Sequence, residues 1–377
     1  MKVVFDRQPL ASSIGLIQNL VGQVTTMPIL TNVLIEAEGD YARISGTDLD
    51  SFGQVKLAAR VEAPGRITAP ARLLADIVKR LPKGEVAMQA KGERMTILCN
   101  RNTYQLSTMP ADDFPAWPCI QPEVTVRLRQ ADLKRALHNT MFAVPTRDYR
   151  KVLMGMLFDI HDGRLTCVAT DGRKLGKTVV DPQEATGETN SIQAIVPDGI
   201  LREIDRAIGE DGEIELSFTD RQARFQLSNL TYVSNLIDGE YPKYESVIPQ
   251  SFTRTIRIQK TTLADAVARA ALLADRKHHS IVLKFAPGQI EIAAQSFEVG
   301  AYEGVIETDY DGEPFKIAFN HNYLQEIFKV AADEVLDMRL NENNAPVVFE
   351  VESDPDSLFL VMPVRMSDDE VEVQTGR

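Results

Sequence analysis

Tryptophan and cysteine are scarce in this 377-residue chain, one of the first and three of the second, and histidine occurs five times. Cys99, Cys119 and Cys167 are odd in number and far apart. That spacing excludes a disulfide framework and a cysteine zinc site, and predicts three buried, reduced thiols. No apolar run approaches the roughly 20 residues that span a bilayer, and the opening Met-Lys-Val-Val-Phe-Asp lacks the apolar core of a secretory signal. A cytoplasmic protein without membrane contact is expected. A Gly-rich phosphate loop and a dinucleotide fingerprint are also missing. His278-His279 has no third ligand at a useful spacing, and neighbouring residues on a helix point apart. Asp309-Tyr-Asp-Gly-Glu313 lacks the closing Glu of a calcium loop and reads as a polar hairpin turn, and Asp112-Asp113 reads as a loop cap. Neither metal, cofactor nor catalytic machinery is expected.

Positive charge is in deficit too. The net charge is −13, the wrong sign for a surface that grips nucleic acid everywhere. The deficit is uneven: residues 1–122 carry 13 basic and 12 acidic side chains, residues 123–250 carry 16 and 20, and residues 251–377 carry 12 and 22.

What is present is a repeat. The stretch Val168-Ala-Thr-Asp-Gly-Arg-Lys-Leu175 joins two alternating apolar runs through Asp-Gly, a hairpin signal in which Gly supplies the positive φ of a tight primed turn. Gly46-Thr-Asp-Leu-Asp50 is its relative 123 residues earlier. Leu10, Ile14, Ile17 and Val21 predict a helix from Pro9 to about Val21, and Pro70 opens a second carrying Leu73, Leu74, Ile77 and Leu81. Short strands such as Val33–Ala37, Ala42–Ser45 and Gln54–Arg60 lie between. The same order returns with Leu133, Leu137 and Met141, then Ile200, Leu201, Ile204 and Ile208; and again with Leu263 and Val267, then Leu324, Ile327 and Phe328 after Asn320. Leu74, Leu201 and Leu324 are 127 and 123 residues apart, and Leu10, Leu133 and Leu263 are 123 and 130 apart. An interval of about 125 residues is too long for a solenoid repeat. The chain therefore reads as three tandem α+β domains, each with two helices on one face of a largely antiparallel sheet: 1–122, 123–250 and 251–366. Residues 367–377 form an acidic tail expected to be disordered.

Most of the six helices carry basic residues on their polar sides: Arg72, Lys79 and Arg80; Lys134 and Arg135; Arg202 and Arg206; Arg269; Lys329. Solvation of amphipathic helices accounts for such residues one at a time. Repeated three times on one face, they would line a curve with positive charge while the strands form an acidic exterior. Such contacts to phosphate are sequence-independent and sensitive to salt.

Nine landmarks in order carry a family resemblance: Met27-Pro-Ile-Leu30 with Asn32, Gly46-Thr-Asp-Leu49, Pro70-Ala-Arg72, Ser107-Thr-Met-Pro110 with Asp113-Phe-Pro115, Gly155-Met-Leu-Phe158, Val168-Ala-Thr-Asp-Gly172, Ile195-Val-Pro197, Asp238-Gly-Glu-Tyr-Pro242 and Val361-Met-Pro-Val-Arg365. Through residue 366 the chain resembles the bacterial β sliding clamps, the β subunits of DNA polymerase III. The resemblance implies a clamp fold, a head-to-tail homodimer closing a ring around double-stranded DNA, and no chemistry of its own. Its partners would be the α subunit of the replicative polymerase, a clamp loader, and other polymerases and repair proteins that dock through short linear peptides. It implies a docking pocket of Arg150, Leu153, Thr170, Gly172, Arg173, Lys174, Leu175, Pro242, Val247, Asn320, Tyr323, Leu360, Met362, Pro363, Val364, Arg365 and Met366. It implies a dimer interface with Tyr104 and Leu106 on one side and Leu272 and Leu273 on the other, and Arg94 and Arg101 facing Glu298 and Glu303. Three departures from the family stand out. Arg173-Lys174 replaces the common His-Arg and makes the pocket wall more basic, Val24 occupies a position that is often basic, and the first helix lacks a basic residue. The alternatives from other classes are a three-domain small-molecule-binding or metabolic protein, and a monomeric scaffold that does not encircle DNA.

Overall fold

Apolar residues at helical spacing and at strand alternation produce, among the described residues, six α-helices and short strands arranged as three repeats of one order. The computed structural model describes residues 1–365 apart from 23–24, 188–191 and 297. Val24, Met366 and the tail 367–377 thus lie outside the described residues. The chain divides into two compact units, Met1–Lys134 with Ile160–Gly163 and Asp181–Asp238, and Arg135–Asp159 with Arg164–Val180 and Gly239 onward. Among the described residues no helix is long and apolar enough to cross a membrane.

In the first unit, helices α1 (Arg7–Ile17), α2 (Ala71–Arg80) and α4 (Asp198–Ala207) bury Leu10, Ile14, Ile17, Leu74, Val78, Ile200, Leu201 and Ile204. Helix α1 begins two residues before the expected Pro9, because proline is tolerated in a first turn whose N–H groups have no helical partner. It ends at Ile17, and a tight turn carries the chain through Leu20 to Val21. The earlier start gives α1 a basic residue after all. Arg7 donates to the carbonyl of Val78 at 3.1 Å and to that of Lys79, so it caps the end of α2. One sheet has five strands in the order Arg60–Ala63, Lys2–Asp6, Glu85–Lys91, Arg94–Cys99 and Asn102–Ser107. The other has nine: Glu184–Gly187, Val124–Arg129, Glu213–Phe218, Gln222–Gln226, Leu230–Asn235, Ser51–Ala58, Tyr41–Thr47, Asn32–Glu38 and Gly65–Pro70. The strand expected over Gln54–Arg60 is divided at Ala59, since its continuation pairs with Lys2–Asp6 in the smaller sheet.

The seam between the first two repeats is a ladder of main-chain bonds between Ser51–Ala58 and Leu230–Asn235. Gly53 sits in it because a Cβ there would lie 2.3 Å from Leu20 and 3.0 Å from Tyr232. Cys99 and Cys167 are buried as expected, but Cys119 is exposed. It falls in the extended linker after Trp117, outside any hydrophobic core.

In the second unit the strand order is Gly155–His161, Arg164–Thr170, Lys174–Val180, Ser357–Val361, Val347–Glu350, Val335–Leu340 and Arg254–Gln259. A four-stranded sheet runs Gly300–Glu307, Gln289–Ser296, Ser280–Ala286 and Phe315–Asn320. Helices α5 (Lys260–Ala271) and α6 (His321–Val330) pack on a core that includes Leu263, Val267, Phe319, Leu324, Ile327 and Phe359. Helix α6 opens as its sequence predicts: the Asn320 side chain accepts from Asn322 N at 2.9 Å. Helix α3 (Gln130–Thr140) leads from one unit to the next. The seam between repeats two and three repeats the earlier one, Lys174–Val180 against Ser357–Val361.

Candidate protein-docking site

The hairpin corner at Thr170–Lys174 organises the site, and its own side chains hold it. Thr170 Oγ1 donates to the Lys174 carbonyl at 2.7 Å and accepts from Gly172 N at 3.0 Å. Asp171 Oδ1 accepts from the N–H groups of Arg173 and Lys174 at 2.8 and 2.9 Å. The turn is not the two-residue primed turn expected from Asp-Gly: Thr170 pairs with Leu175, and only Gly172 takes a positive φ, +85°. An Asp side chain that bonds to the backbone two and three residues onward replaces the missing ladder bonds.

Arg150 lies across this corner. It donates to the Asp171 carbonyl at 3.0 Å and grips Asp148 in two places, at 2.8 and 3.0 Å. The guanidinium holds the Asp148 carboxyl down to about 2, so the pair stays ionised well into acid. Gly172 leaves room for it; a Cβ there would stand 3.3 Å from Arg150 Nη1. On the other side, Met362 N donates to the Arg173 carbonyl at 2.7 Å and Val364 N to that of Ala318 at 2.8 Å, which fixes the C-terminal edge against the corner. Tyr241 Oη accepts from Thr170 N at 3.1 Å, and Tyr244 Oη donates to Asp159 at 3.3 Å. These two buried tyrosines pin the strap that carries the exposed Pro242 and Val247.

The structure thus brings together Arg150, Leu153, Thr170, Gly172, Arg173, Lys174, Leu175, Leu360, Met362 and Tyr323 through direct contacts or strand pairing. Pro242, Val247, Asn320, Pro363, Val364 and Arg365 lie on the segments so fixed, with Asn320 serving as the cap of α6. Two expectations change. Leu153, Leu175 and Leu360 are buried at 0, 1 and 2 % exposure, so they are the floor of the site and not its apolar surface. Lys174 is buried as well: its ammonium pairs with Glu326 and lies 5.6 and 5.5 Å from the rings of Phe142 and Tyr323. A buried ammonium needs such partners, and its charge does not reach the pocket wall. Arg173 alone of the basic pair is exposed. Asp148, Phe142, Tyr244 and Glu326 are the residues that sequence reading missed; Tyr241 lay within a quoted landmark, but its hydroxyl had no assigned role.

The helix cations are mostly ion-paired on the surface. Arg80 pairs with Asp76 at 3.0 Å, Lys134 with Glu210 at 2.7 Å, Arg202 with Asp198 at 2.8 Å and Arg206 with Glu203. Arg72 and Lys79 are exposed, and Arg269 donates to Tyr302 at 3.1 Å. Arg135 departs from its expected role. It pairs with Asp354, which Asn139 also holds at 2.9 Å, and it donates to the Val179 carbonyl at 3.2 Å, so it braces the second unit. Of the residues expected at a dimer contact, Arg94, Arg101, Tyr104 and Glu298 are exposed. Leu272 is 80 % exposed at the end of α5 and Leu273 is half-buried. Glu303 lies on the exposed edge strand Gly300–Glu307. Leu106 is turned into the core of its own chain, opposite the buried Met95 in the ladder. Its side chain is withdrawn from the contact set.

Family models for the DNA polymerase III beta subunit match the chain three times: the N-terminal domain over residues 1–118, the central domain over 127–243 and the C-terminal domain over 245–365. The chain belongs to the beta sliding clamp family. The beta sliding clamp of Pseudomonas aeruginosa is 31% identical over 370 residues, covering 97% of this chain and 100% of that one, and the Caulobacter vibrioides clamp is 32% identical over 374 residues at the same coverage. A P. aeruginosa clamp solved with griselimycin superposes at a TM-score of 0.93 with 30% identity, over 97% of this chain and 100% of that chain. A Bacillus subtilis clamp superposes at 0.91 with 26% identity over the same shares. As a clamp this chain is a non-catalytic subunit of DNA polymerase III, built from three domains of one fold.

Proposed function

We propose that this clamp closes as a head-to-tail homodimer around duplex DNA and tethers the replicative polymerase to it. Membership over the full length of its relatives carries the reading. The proposed domains are 1–122, 123–250 and 251–366. A clamp loader would place the ring on DNA. The polymerase α subunit and other polymerases and repair proteins would dock by short peptides at the corner of Arg150, Gly172, Arg173 and Met362, in the cytoplasm. Closure would join two free sheet edges, Asn102–Ser107 of one copy and Gly300–Glu307 of the other, since each is the last strand of its sheet. Tyr104 lies on the first edge, and Leu272 and Leu273 flank the second. Arg94 and Arg101 would meet Glu298 and Glu303. Arg72, Lys79, Arg80, Lys134, Arg202, Arg206 and Arg269 would contact phosphates. The exposed pairs Arg80–Asp76 and Lys134–Glu210 contribute little in water, so phosphate can displace those carboxylates.

The test is retention on nicked circular DNA after loading. Loss of the protein when the circle is linearised is the expected result. Retention on linear DNA with free ends would overturn encirclement.

A further inference from the structure

The docking corner of the second unit has a counterpart in the first, built bond for bond. Thr47 Oγ1 accepts from Leu49 N and donates to the Ser51 carbonyl, and Asp48 Oδ1 accepts from the N–H groups of Asp50 and Ser51. Asn235 N donates to the Asp50 carbonyl and Ile237 N to that of Ile195, both as Met362 and Val364 do at the other corner. Leu30 N donates to the Met27 carbonyl as Leu153 N does to that of Arg150. The scaffold is the same, but the side chains on it are not. Met27 takes the chain position of Arg150, and Leu49 that of Gly172. Both are large apolar residues in water, 44 and 42 % exposed. Leu49 is also held at φ +81°, where a leucine is strained and glycine is not.

The strands that flank this corner, through Gly46 and Phe52, line a cavity of about 340 Å³ together with Gln54, Phe114 and Trp117. At the other corner Tyr241 and Tyr244 are buried and hydrogen-bonded through their hydroxyls. Here the matching residues are Phe114 and Trp117, and Trp117 instead leans edge-on against Phe52 at 6.2 Å. The charge is reversed as well. At matching chain positions the second unit's corner has exposed Arg173 and Arg365, with Arg150 paired to Asp148, whereas Asp50 and Asp238 are exposed here and Arg66 and Arg221 are paired with Asp112 and Asp220.

We propose that this corner is a second docking site, for an extended partner segment with large apolar anchors flanked by Lys or Arg. Exposed apolar side chains kept on a peptide-binding scaffold mark a recognition surface, and the acidic rim selects the opposite charge from the first site. The inference rests on reading the second unit's corner as a peptide site, and its test separates the two. Fluorescein-labelled Lys-Lys-Leu-Lys-Leu-Phe-Lys and a version with Glu at each Lys are titrated by anisotropy against the full chain and against Leu49→Gly, Asp50→Lys with Asp238→Lys, and Met362→Ala. The basic probe should bind saturably at one per chain, weaken at least tenfold in Leu49→Gly and in the double charge reversal, and change less than twofold in Met362→Ala. Leu49→Gly relieves the positive φ, so its melting temperature should hold or rise and loss of binding cannot be laid to misfolding. Basic-probe binding that is unsaturable, or that survives both first-unit variants, overturns the second site. Binding lost only with Met362→Ala assigns the peptide to the first site and overturns it equally. Failure of the acidic probe to bind the wild-type chain, with the basic-probe results as expected, would count against the first site and leave this one standing.

Discussion

Met362 shows how one residue joins segments far apart in sequence. Its N–H is bonded to Arg173 while its side chain stays half-exposed beside Pro363. A flexible thioether suits a surface that accepts several peptides. Burying a large anchor there contributes about 1.5–3 kcal/mol, and ordering the peptide offsets part of it, so a single motif should bind near micromolar. Met362→Ala should weaken a Gln-x-x-Leu-x-Phe peptide about tenfold. A titration in which the variant matches wild type would place the pocket elsewhere. Arg173 is now the charge to test, since Lys174 is neutralised by Glu326. Arg173→Ala should remove the advantage of an acidic-flanked peptide over a neutral one at low salt, and Lys174→Met should leave that advantage intact.

Among the elements, α6 carries a pH dependence. His321 opens it, is 9 % exposed, and has an Nδ1 without a partner among the described residues. Burial first, and the charge of His279 second, hold its pKa below the ordinary value. The rings of the two histidines meet edge-on at 5.4 Å. The folded state therefore prefers neutral imidazole, while the unfolded chain takes up a proton near pH 6.5. Stability from this group is complete above that pH and is lost as pH falls through and below it. Melting temperature should decline between about pH 7 and pH 5, and His321→Gln should flatten that decline. An equal decline in the variant would assign the effect to other groups.

The behaviour of the whole molecule depends on two copies. Leu272→Ala with Leu273→Ala should give a soluble monomer, because Leu272 is exposed and Leu273 only half-buried in the single chain, so their truncation costs less there than loss of a core leucine. Sedimentation of the variant as a dimer at low micromolar concentration would move the interface. With a net charge of −13, binding to short linear duplex without a loader should be weak and should fall steeply with salt. Tight, salt-insensitive binding to such a duplex would contradict encirclement.

The sequence by itself determined the repeat, the helix faces and the α+β class. These depend on local spacing, as with Leu74, Leu201 and Leu324, which are all buried. It also marked the Thr-Asp corner, whose turn is made by its own side chains. Where Ala59 breaks a strand, which leucines are floor and which methionine is surface, and where Lys174 and Arg135 place their charges were decided only by the tertiary structure. Each of those depends on a partner more than a hundred residues away or on a neighbouring sheet, and no local pattern encodes it. The likeness of Thr47–Ser51 to Thr170–Lys174 was legible in the sequence. That Leu49 would stand exposed and strained on a scaffold shared with Gly172 needed the folded chain, since exposure is set by what packs around a residue and not by its own type.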